Sequence, residues 1–128
     1  IPIIVRNFID NNKEIFRDKN IFIIATMGLF SGDGTGCSAR LLKKYGTNIT
    51  GGLHLKMPDC IGDVKTLKKT IEENKELVKN ANLKIKNAVS NMKKGKYSKE
   101  GLTSISHLAG LFGQRLYFYR KTYKTIIF

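Results

Sequence analysis

The glycine-rich segment between Gly28 and Gly36 has the composition of a ligand-binding loop. It follows a continuous apolar run and leads into a helix signal. This places it at the carboxyl end of a predicted strand, where open α/β sheets bind ligands. Glycines there let the backbone approach a flat or anionic ligand. The spacing of Gly32, Gly34 and Gly36 matches neither a dinucleotide fingerprint nor a nucleotide triphosphate loop. The residues therefore predict a binding loop of open specificity, with a purely structural loop as the alternative.

Four further side chains carry thiol or imidazole groups: Cys37, His54, Cys60 and His107. No pair of them has the spacing of metal ligands, so no metal site is predicted. A Cys/His nucleophilic pair stays open, although a cysteine at a helix start, such as Cys37, is more often a small buried residue. His54 lies in a strand pattern and is predicted to pack. The carboxylates show no pairing suited to acid/base catalysis, and no catalytic residue is predicted.

A strand–helix–strand unit must position the glycine loop. The run from Ile21 to Thr26 is continuously apolar and rich in β-branched residues, which is typical of a strand buried on both faces. A helix is predicted from Cys37 to Tyr45, ending at Gly46, and a second strand from Asn48 to Leu55. Such a unit predicts two parallel strands joined by a right-handed crossover. The predicted fold class is α/β, with parallel strands flanked by helices.

Helices are predicted on either side of this unit. The first runs from Pro2 to Phe16, a long one runs from an N-cap at Asp63 to Lys94 and ends at Gly95, and a last one covers Lys99 to Leu111. The apolar stripe of the long helix consists of Val64, Leu67, Ile71, Val78, Ala81, Ile85, Ala88 and Met92. Packing of this stripe on the sheet is the favoured interpretation, and a coiled-coil seam is the alternative.

The charge of the chain is strongly positive, with 23 Lys and Arg against 10 Asp and Glu and a net charge of +13. Such a balance attracts anions without further specificity. Only five residues are Arg, the residue most used to read bases, and the lysines are spread along the predicted helices. This pattern favours a solvated exterior over nucleic-acid binding. A basic helical surface for an anionic partner or nucleic acid is kept as the alternative function.

Length and composition predict one domain spanning residues 1–128, located in the cytoplasm. The 128 residues, 41% of them hydrophobic, suit a single globular domain. No apolar run approaches the roughly 18 residues of a membrane span, so no membrane partner is predicted. Two cysteines do not make a disulfide framework, and this favours a reducing compartment.

Several segments resemble the second half of a flavodoxin-like domain. They are IFIIATMGLFSGD, from Ile21 to Asp33, the following GTGCSARLLKKYG, and GGLHLKMPD, from Gly51 to Asp59. In particular, they are similar to the flavodoxin module of bacterial flavodoxin–ferredoxin fusion proteins. The segment AGLFGQRLYFY, from Ala109 to Tyr119, resembles the end of that module, and the likeness covers about residues 1–121. The resemblance implies a partial flavodoxin-like three-layer fold.

The same resemblance implies FMN held at the strand ends and electron transfer to a redox partner protein. It indicates an electron carrier or oxidoreductase component rather than a hydrolase or transferase. The loop that passes beside the flavin ring in the family corresponds here to residues 26–34. The residues implied to contact the ring are Thr26, Met27, Gly28, Phe30, Ser31 and Gly32, and those implied to shape the turn are Asp33 and Gly34.

The chain also departs from the family pattern. The family's first strand, with the Ser/Thr/Gly loop that cradles the FMN phosphate, has no counterpart, so we expect a fragment that binds FMN weakly. No cysteine run for an iron–sulfur cluster is present, and such a cluster would belong to the absent ferredoxin part. Without a neighbour on one side, the strand from Ile21 to Thr26 offers an edge for self-association.

Overall fold

The computed structural model describes residues 1–28, 33–59 and 68–110. In chain order these residues form helices α1 (Ile3–Asn11) and α2 (Lys13–Phe16), strand β1 (Asn20–Met27), helix α3 (Gly34–Lys44), strand β2 (Asn48–Lys56), and helices α4 (Ile71–Lys93) and α5 (Ser104–Gly110). The described part of the chain is a mixed α/β structure, which confirms the predicted fold class. None of the helices in these ranges has the length and apolar character needed to cross a membrane.

The two strands run parallel, as predicted, and β1 pairs with β2 from Asn20 to Met27. The chain returns to the sheet further on, at residues 98–100. There the Gly52 N–H donates to the Ser98 carbonyl over 2.8 Å, and the Glu100 N–H donates to the Gly52 carbonyl over 3.1 Å. β2 therefore lies between β1 and this short extended segment. Within the described ranges, nothing pairs with the outer edge of β1.

Helices α3 and α4 cover opposite faces of the sheet. Leu53 and Leu55 of β2 are buried in a cluster with Ala81 of α4. Gly52, next to Leu53, instead faces Thr35 of α3, whose Cγ2 would lie 2.9 Å from a Cβ at that glycine. Because successive strand residues point to opposite faces, the two helices form outer layers on either side of the sheet. The long helix packs on the sheet through Ala81 and Ala88, as the favoured interpretation predicts, whereas Ile71, Val78 and Ile85 of the predicted stripe are exposed.

Strand β1 is less buried than its sequence predicts. No side chain of β1 is fully buried within the described structure, and Ile24 is 56% exposed. Leu53 and Leu55, on the neighbouring β2, are only 3% and 6% exposed. The prediction of burial on both faces is therefore wrong for β1. The physical reason is position: among the described residues, β2 has a neighbour on each side, whereas β1 has one on a single side.

The first predicted helix is two helices. α1 ends at Asn11 and α2 begins at Lys13, with Asn12 between them at φ −121°. Both the backbone N–H and the side-chain Nδ2 of Asn12 donate to the Phe8 carbonyl, over 3.1 and 2.8 Å. An asparagine that bonds to the preceding turn in this way competes with helix continuation. A single helix from Pro2 to Phe16 was therefore the wrong prediction.

The long helix begins later than predicted. Residues 68–70 are not helical, and Thr70 caps α4 through a reciprocal pair of hydrogen bonds with Glu73, a capping box. The N-cap predicted at Asp63 lies outside the described residues, but a helix continuous from there is wrong. The predicted end is confirmed, because α4 stops at Lys93 and Gly95 follows in the left-handed region at φ +73°.

Two other helix starts differ from the sequence prediction. α3 begins at Gly34 rather than Cys37, although the stop at Gly46, with φ +79°, is as predicted. The last helix begins at Ser104, because Lys99 pairs with β2 as part of the extended segment. Its predicted end at Leu111 and the aromatic residues beyond lie outside the described part of the chain.

Candidate functional site

A groove of 520 Å³ runs along the carboxyl half of β1, and we call it the β1 groove. It is lined by β1 residues 23–27, by Gly34, Thr35 and Ser38 of α3, and by Ile1, Pro2 and Val5 at the start of the chain. Two of the predicted ring contacts, Thr26 and Met27, and the predicted turn residue Gly34 thus come together in one concave surface. A cavity of this volume is within the usual range for small-molecule sites.

Of the remaining predicted loop residues, Gly28 and Asp33 belong to the described part of the chain. Gly28 follows β1 directly and is exposed, but it does not line the groove. Phe30, Ser31 and Gly32 lie outside the described residues. Asp33 is buried next to the groove-lining Gly34, and it does not face the groove either.

The β1 groove has one apolar and one polar side. None of its lining residues carries a charged side chain. Ile23, Ile24 and Ala25 supply aliphatic surface, while Thr26 supplies a hydroxyl. The first residues of α3 border the other side, where helix N–H groups and the positive end of the helix dipole lie. Such a surface suits a flat ligand with an apolar body and a polar, electron-rich edge.

Gly34 and Gly36 begin α3 in contrasting surroundings. A Cβ added at Gly34 would meet no atom within 4 Å, so this position opens onto free space beside the groove. A Cβ added at Gly36 would overlap Oδ1 of Asp33 and lie 3.1 Å from the Gly101 carbonyl oxygen. Gly36 is therefore required for close packing, whereas Gly34 leaves room in the groove.

Asp33 anchors the start of α3 to α5. Its backbone carbonyl accepts the Cys37 N–H over 2.7 Å. Its buried carboxylate pairs through Oδ2 with the guanidinium of Arg40, and His107 Nδ1 lies 3.2 Å from the same oxygen. Burial would raise the pKa of Asp33, but hydrogen bonds led by the one from Arg40 outweigh it, so that the pKa lies below its ordinary value. Asp33 thus holds the start of α3 through partners that the sequence pattern does not indicate.

His54 belongs to a second polar cluster. The hydroxyl of the buried Thr35 lies 2.8 Å from His54 Nε2. Oε2 of Glu100 accepts the His54 N–H over 2.9 Å and a bond from Lys84 Nζ over 2.8 Å. Lys84 also donates to the His54 carbonyl over 2.8 Å. This cluster ties α3, β2, α4 and residue 100 together, so His54 packs, as predicted.

The pKa values in this cluster are displaced from their ordinary values. Burial lowers the pKa of His54, because the imidazolium would lose its hydration. Burial alone would raise the pKa of Glu100. The bonds from Lys84 and from the His54 backbone exceed that effect and lower it. Gly101, at φ +73°, lies against His54 Nε2 with no room for a Cβ, so the cluster is closely packed.

Metal-ligating groups are scattered in the described ranges. No three His, Cys, Asp or Glu side chains there are placed to hold a metal ion. Cys37 Sγ lies 3.4 Å from both Asp33 Oδ2 and Arg40 Nη2, within the anchor of α3. Cys60 lies outside the described residues.

Comparison with known proteins finds no family model, no curated protein and no solved structure that matches this chain. The observation that bears on function is therefore the β1 groove.

Proposed function

We propose that this chain forms the ring-side wall of an FMN site in a flavodoxin-like electron-transfer protein. The observation that carries the proposal is the β1 groove, a cavity of 520 Å³ without charged side chains in its lining, at the carboxyl end of a strand in a parallel strand–helix–strand unit. Ligands of open α/β sheets bind at this end of the strands. Thr26 and Met27, which the resemblance assigns to the flavin ring, and Gly34, which it assigns to the turn, line the groove.

The lining residues fit an isoalloxazine ring. Aliphatic surface from Ile23, Ile24 and Ala25 suits the body of the ring, and the Thr26 hydroxyl with the first N–H groups of α3 suits its polar edge. Gly34 adds space that any larger residue would fill. When bound, the flavin supplies the capacity to accept and pass on electrons. The residues of the chain hold the ring, exclude water from one face and set the polarity around it.

The proposal includes the setting in which such a carrier works. Electrons would pass to a redox partner protein, as in the family that the sequence resembles. We also propose a cytoplasmic location, because a chain with two cysteines in 128 residues lacks the disulfide framework of many secreted domains.

Flavin binding to the purified chain tests the proposal directly. Riboflavin is titrated with protein, and the quenching of flavin fluorescence is followed. The Gly34→Leu variant fills the groove without meeting a neighbouring atom at its Cβ, so we expect its dissociation constant to rise by about tenfold or more. Ser90→Leu, on the exposed side of α4, is the matched control and should stay within roughly twofold of the parent chain. Absence of saturable binding, or equal affinity in both variants, contradicts the proposal.

A comparison of FMN with riboflavin tests which part of the ligand is held. Because no charged side chain lines the β1 groove, we expect the two dissociation constants to agree within about tenfold. FMN binding a thousandfold tighter than riboflavin would show that the chain contains a phosphate site, contrary to the sequence expectation.

A further inference from the structure

A second groove, of 250 Å³, lies between α3 and residues 99–102. We call it the basic groove, because Arg40, Lys43 and Lys99 line it and no acidic residue does. Ile49 and Leu102 add apolar surface to its wall. The basic groove shares no lining residue with the β1 groove, so its role is independent of flavin binding.

The three cations leave an excess of positive charge. The buried carboxylate of Asp33 balances Arg40 and engages its Nη2. The Nη1 and Nε groups of Arg40 have no hydrogen-bond partner among the described residues, so the guanidinium keeps donors for a ligand. Lys43 and Lys99 have no carboxylate partner in the same ranges. Two uncompensated positive charges therefore face a concave surface.

Two of the three cations are held in place. Arg40 is fixed by Asp33, which His107 also contacts. Lys99 Nζ donates to the Thr50 carbonyl over 2.8 Å, which holds this side chain across β2. Cationic groups that are already positioned lose less conformational entropy when an anion binds.

Small residues keep the space between these cations open. Gly36 and the buried Ala39 line the groove on the α3 side. A Cβ at Gly36 would lie 3.1 Å from Arg40 Nη1 and 3.1 Å from the Gly101 carbonyl oxygen. A larger residue there would displace the guanidinium, so the shape of the groove depends on this glycine.

We propose that the basic groove binds a small molecule carrying a diphosphate or a similarly compact phosphate group. A guanidinium matches two phosphate oxygens at once, and lysine ammonium groups add point charges. The volume of 250 Å³ suits a diphosphate rather than a length of polymer. Ile49 and Leu102 would contact an apolar part of the same molecule.

Calorimetric titration of the full chain with inorganic pyrophosphate at about 0.15 M salt tests this site, since that salt screens diffuse surface charge. The double variant Lys43→Gln/Lys99→Gln should weaken binding by about tenfold or more. The control Lys86→Gln/Lys96→Gln removes the same charge from exposed positions outside the groove and should stay within roughly twofold. Equal losses in both variants, or no saturable binding, overturn the proposal.

Two further measurements complete the test. One distinguishes loss of binding from loss of folding, and the other distinguishes a small-molecule ligand from a nucleic acid. Lys43→Gln alone removes a side chain without a described partner, so its thermal unfolding should match that of the parent chain while its pyrophosphate affinity falls. Unchanged affinity in this variant contradicts the assignment of Lys43. A short oligonucleotide that binds more tightly than pyrophosphate and loses affinity in the same double variant would assign the groove to a nucleic-acid backbone and overturn the small-molecule proposal.

Discussion

At the scale of single residues, the first turn of α3 contains two glycines with different requirements. Gly36 has no room for a side chain, because a Cβ would overlap the buried carboxylate of Asp33, whereas the same atom at Gly34 would meet nothing within 4 Å. The carboxylate cannot move away easily, since Arg40 and His107 both contact it. The two positions therefore form a matched pair for substitution.

We expect Gly36→Ala to lower the free energy of unfolding by about 1–3 kcal/mol, the usual cost of overpacking a closely packed site. Gly34→Ala should be neutral or stabilising by up to about 1 kcal/mol, because alanine has the better helix propensity. Urea unfolding of the two variants and the parent chain measures the difference. Equal destabilisation by both substitutions would contradict the packing around Asp33.

At the scale of elements, the start of α4 depends on one local device. The Thr70 hydroxyl accepts the Glu73 N–H over 3.2 Å, and the Glu73 carboxylate accepts the Thr70 N–H over 2.7 Å. Two N–H groups that would otherwise lack partners are satisfied within four residues. This pair lies well after Asp63, where the sequence pattern alone predicts the helix to begin.

We expect Thr70→Ala to cost about 0.5–2 kcal/mol of stability, because the hydroxyl that accepts the Glu73 N–H is lost, whereas the backbone N–H of residue 70 is kept. Ser90→Ala, at an exposed position in the last turn of α4, should leave stability unchanged or raise it by at most about 0.5 kcal/mol. The free energy of urea unfolding and the helical circular dichroism signal check both values. A Thr70→Ala variant as stable as the parent would show that the helix is held by its packing alone.

At the scale of the whole molecule, the polar clusters that join the elements should make the protein less stable as the pH is lowered. Burial holds the pKa of His54 below its ordinary value of 6.5. The unfolded chain therefore takes up the proton first as the pH falls, and protonation favours unfolding. The lowered pKa values of Asp33 and Glu100 act in the same direction, at lower pH.

We therefore expect the thermal unfolding temperature to decline as the pH falls through 6.5 and below, and to decline further where the carboxylates titrate. His54→Gln keeps a hydrogen-bonding group beside Thr35 and lacks the titration, so the first part of the decline should flatten in this variant. A parent chain with the same unfolding temperature at neutral and mildly acidic pH would contradict the burial of His54.

The outer edge of β1 also acts at the scale of the whole molecule. Asn20–Met27 contains no charged residue, nothing in the described ranges pairs with its outer edge, and Ile24 is 56% exposed. Residues 1–28 contain four basic and three acidic side chains, so the strong positive charge lies mainly elsewhere. We therefore expect this uncharged strand edge to pair with a second copy of the chain.

We expect concentration-dependent self-association in analytical ultracentrifugation, increasing with salt as repulsion between the cationic chains is screened. Ile24→Lys should reduce it by about tenfold or more, because a charge would be placed on the pairing edge. The control Ile105→Lys changes an equally apolar residue, 79% exposed on α5, and should leave association unchanged. Equal effects of both substitutions would show that association is not directed by β1.

The sequence by itself determined the local structure of this protein. The apolar run after Asn20 became a strand, the helix stops at Gly46 and Gly95 formed where a positive φ was needed, and the strand–helix–strand order predicted the parallel pair. These features depend on residues that are close together in the chain, so the sequence pattern predicts them without knowledge of the tertiary structure. The glycine-rich segment could also be predicted as a candidate ligand-binding loop, because strand ends in this arrangement face ligands.

Only the tertiary structure decided which distant residues meet. Asp33 and His107 are 74 positions apart, and nothing local to either residue indicates their contact. Likewise, the sequence pattern predicts that Lys99 begins a helix, but Lys99 pairs with β2. The extended segment there satisfies the backbone N–H and carbonyl of Gly52, which a helix would leave unbonded. The exposure of β1 was decided in the same way. An apolar sequence creates the tendency to be buried, but the neighbours that bury it are set by how the whole chain folds.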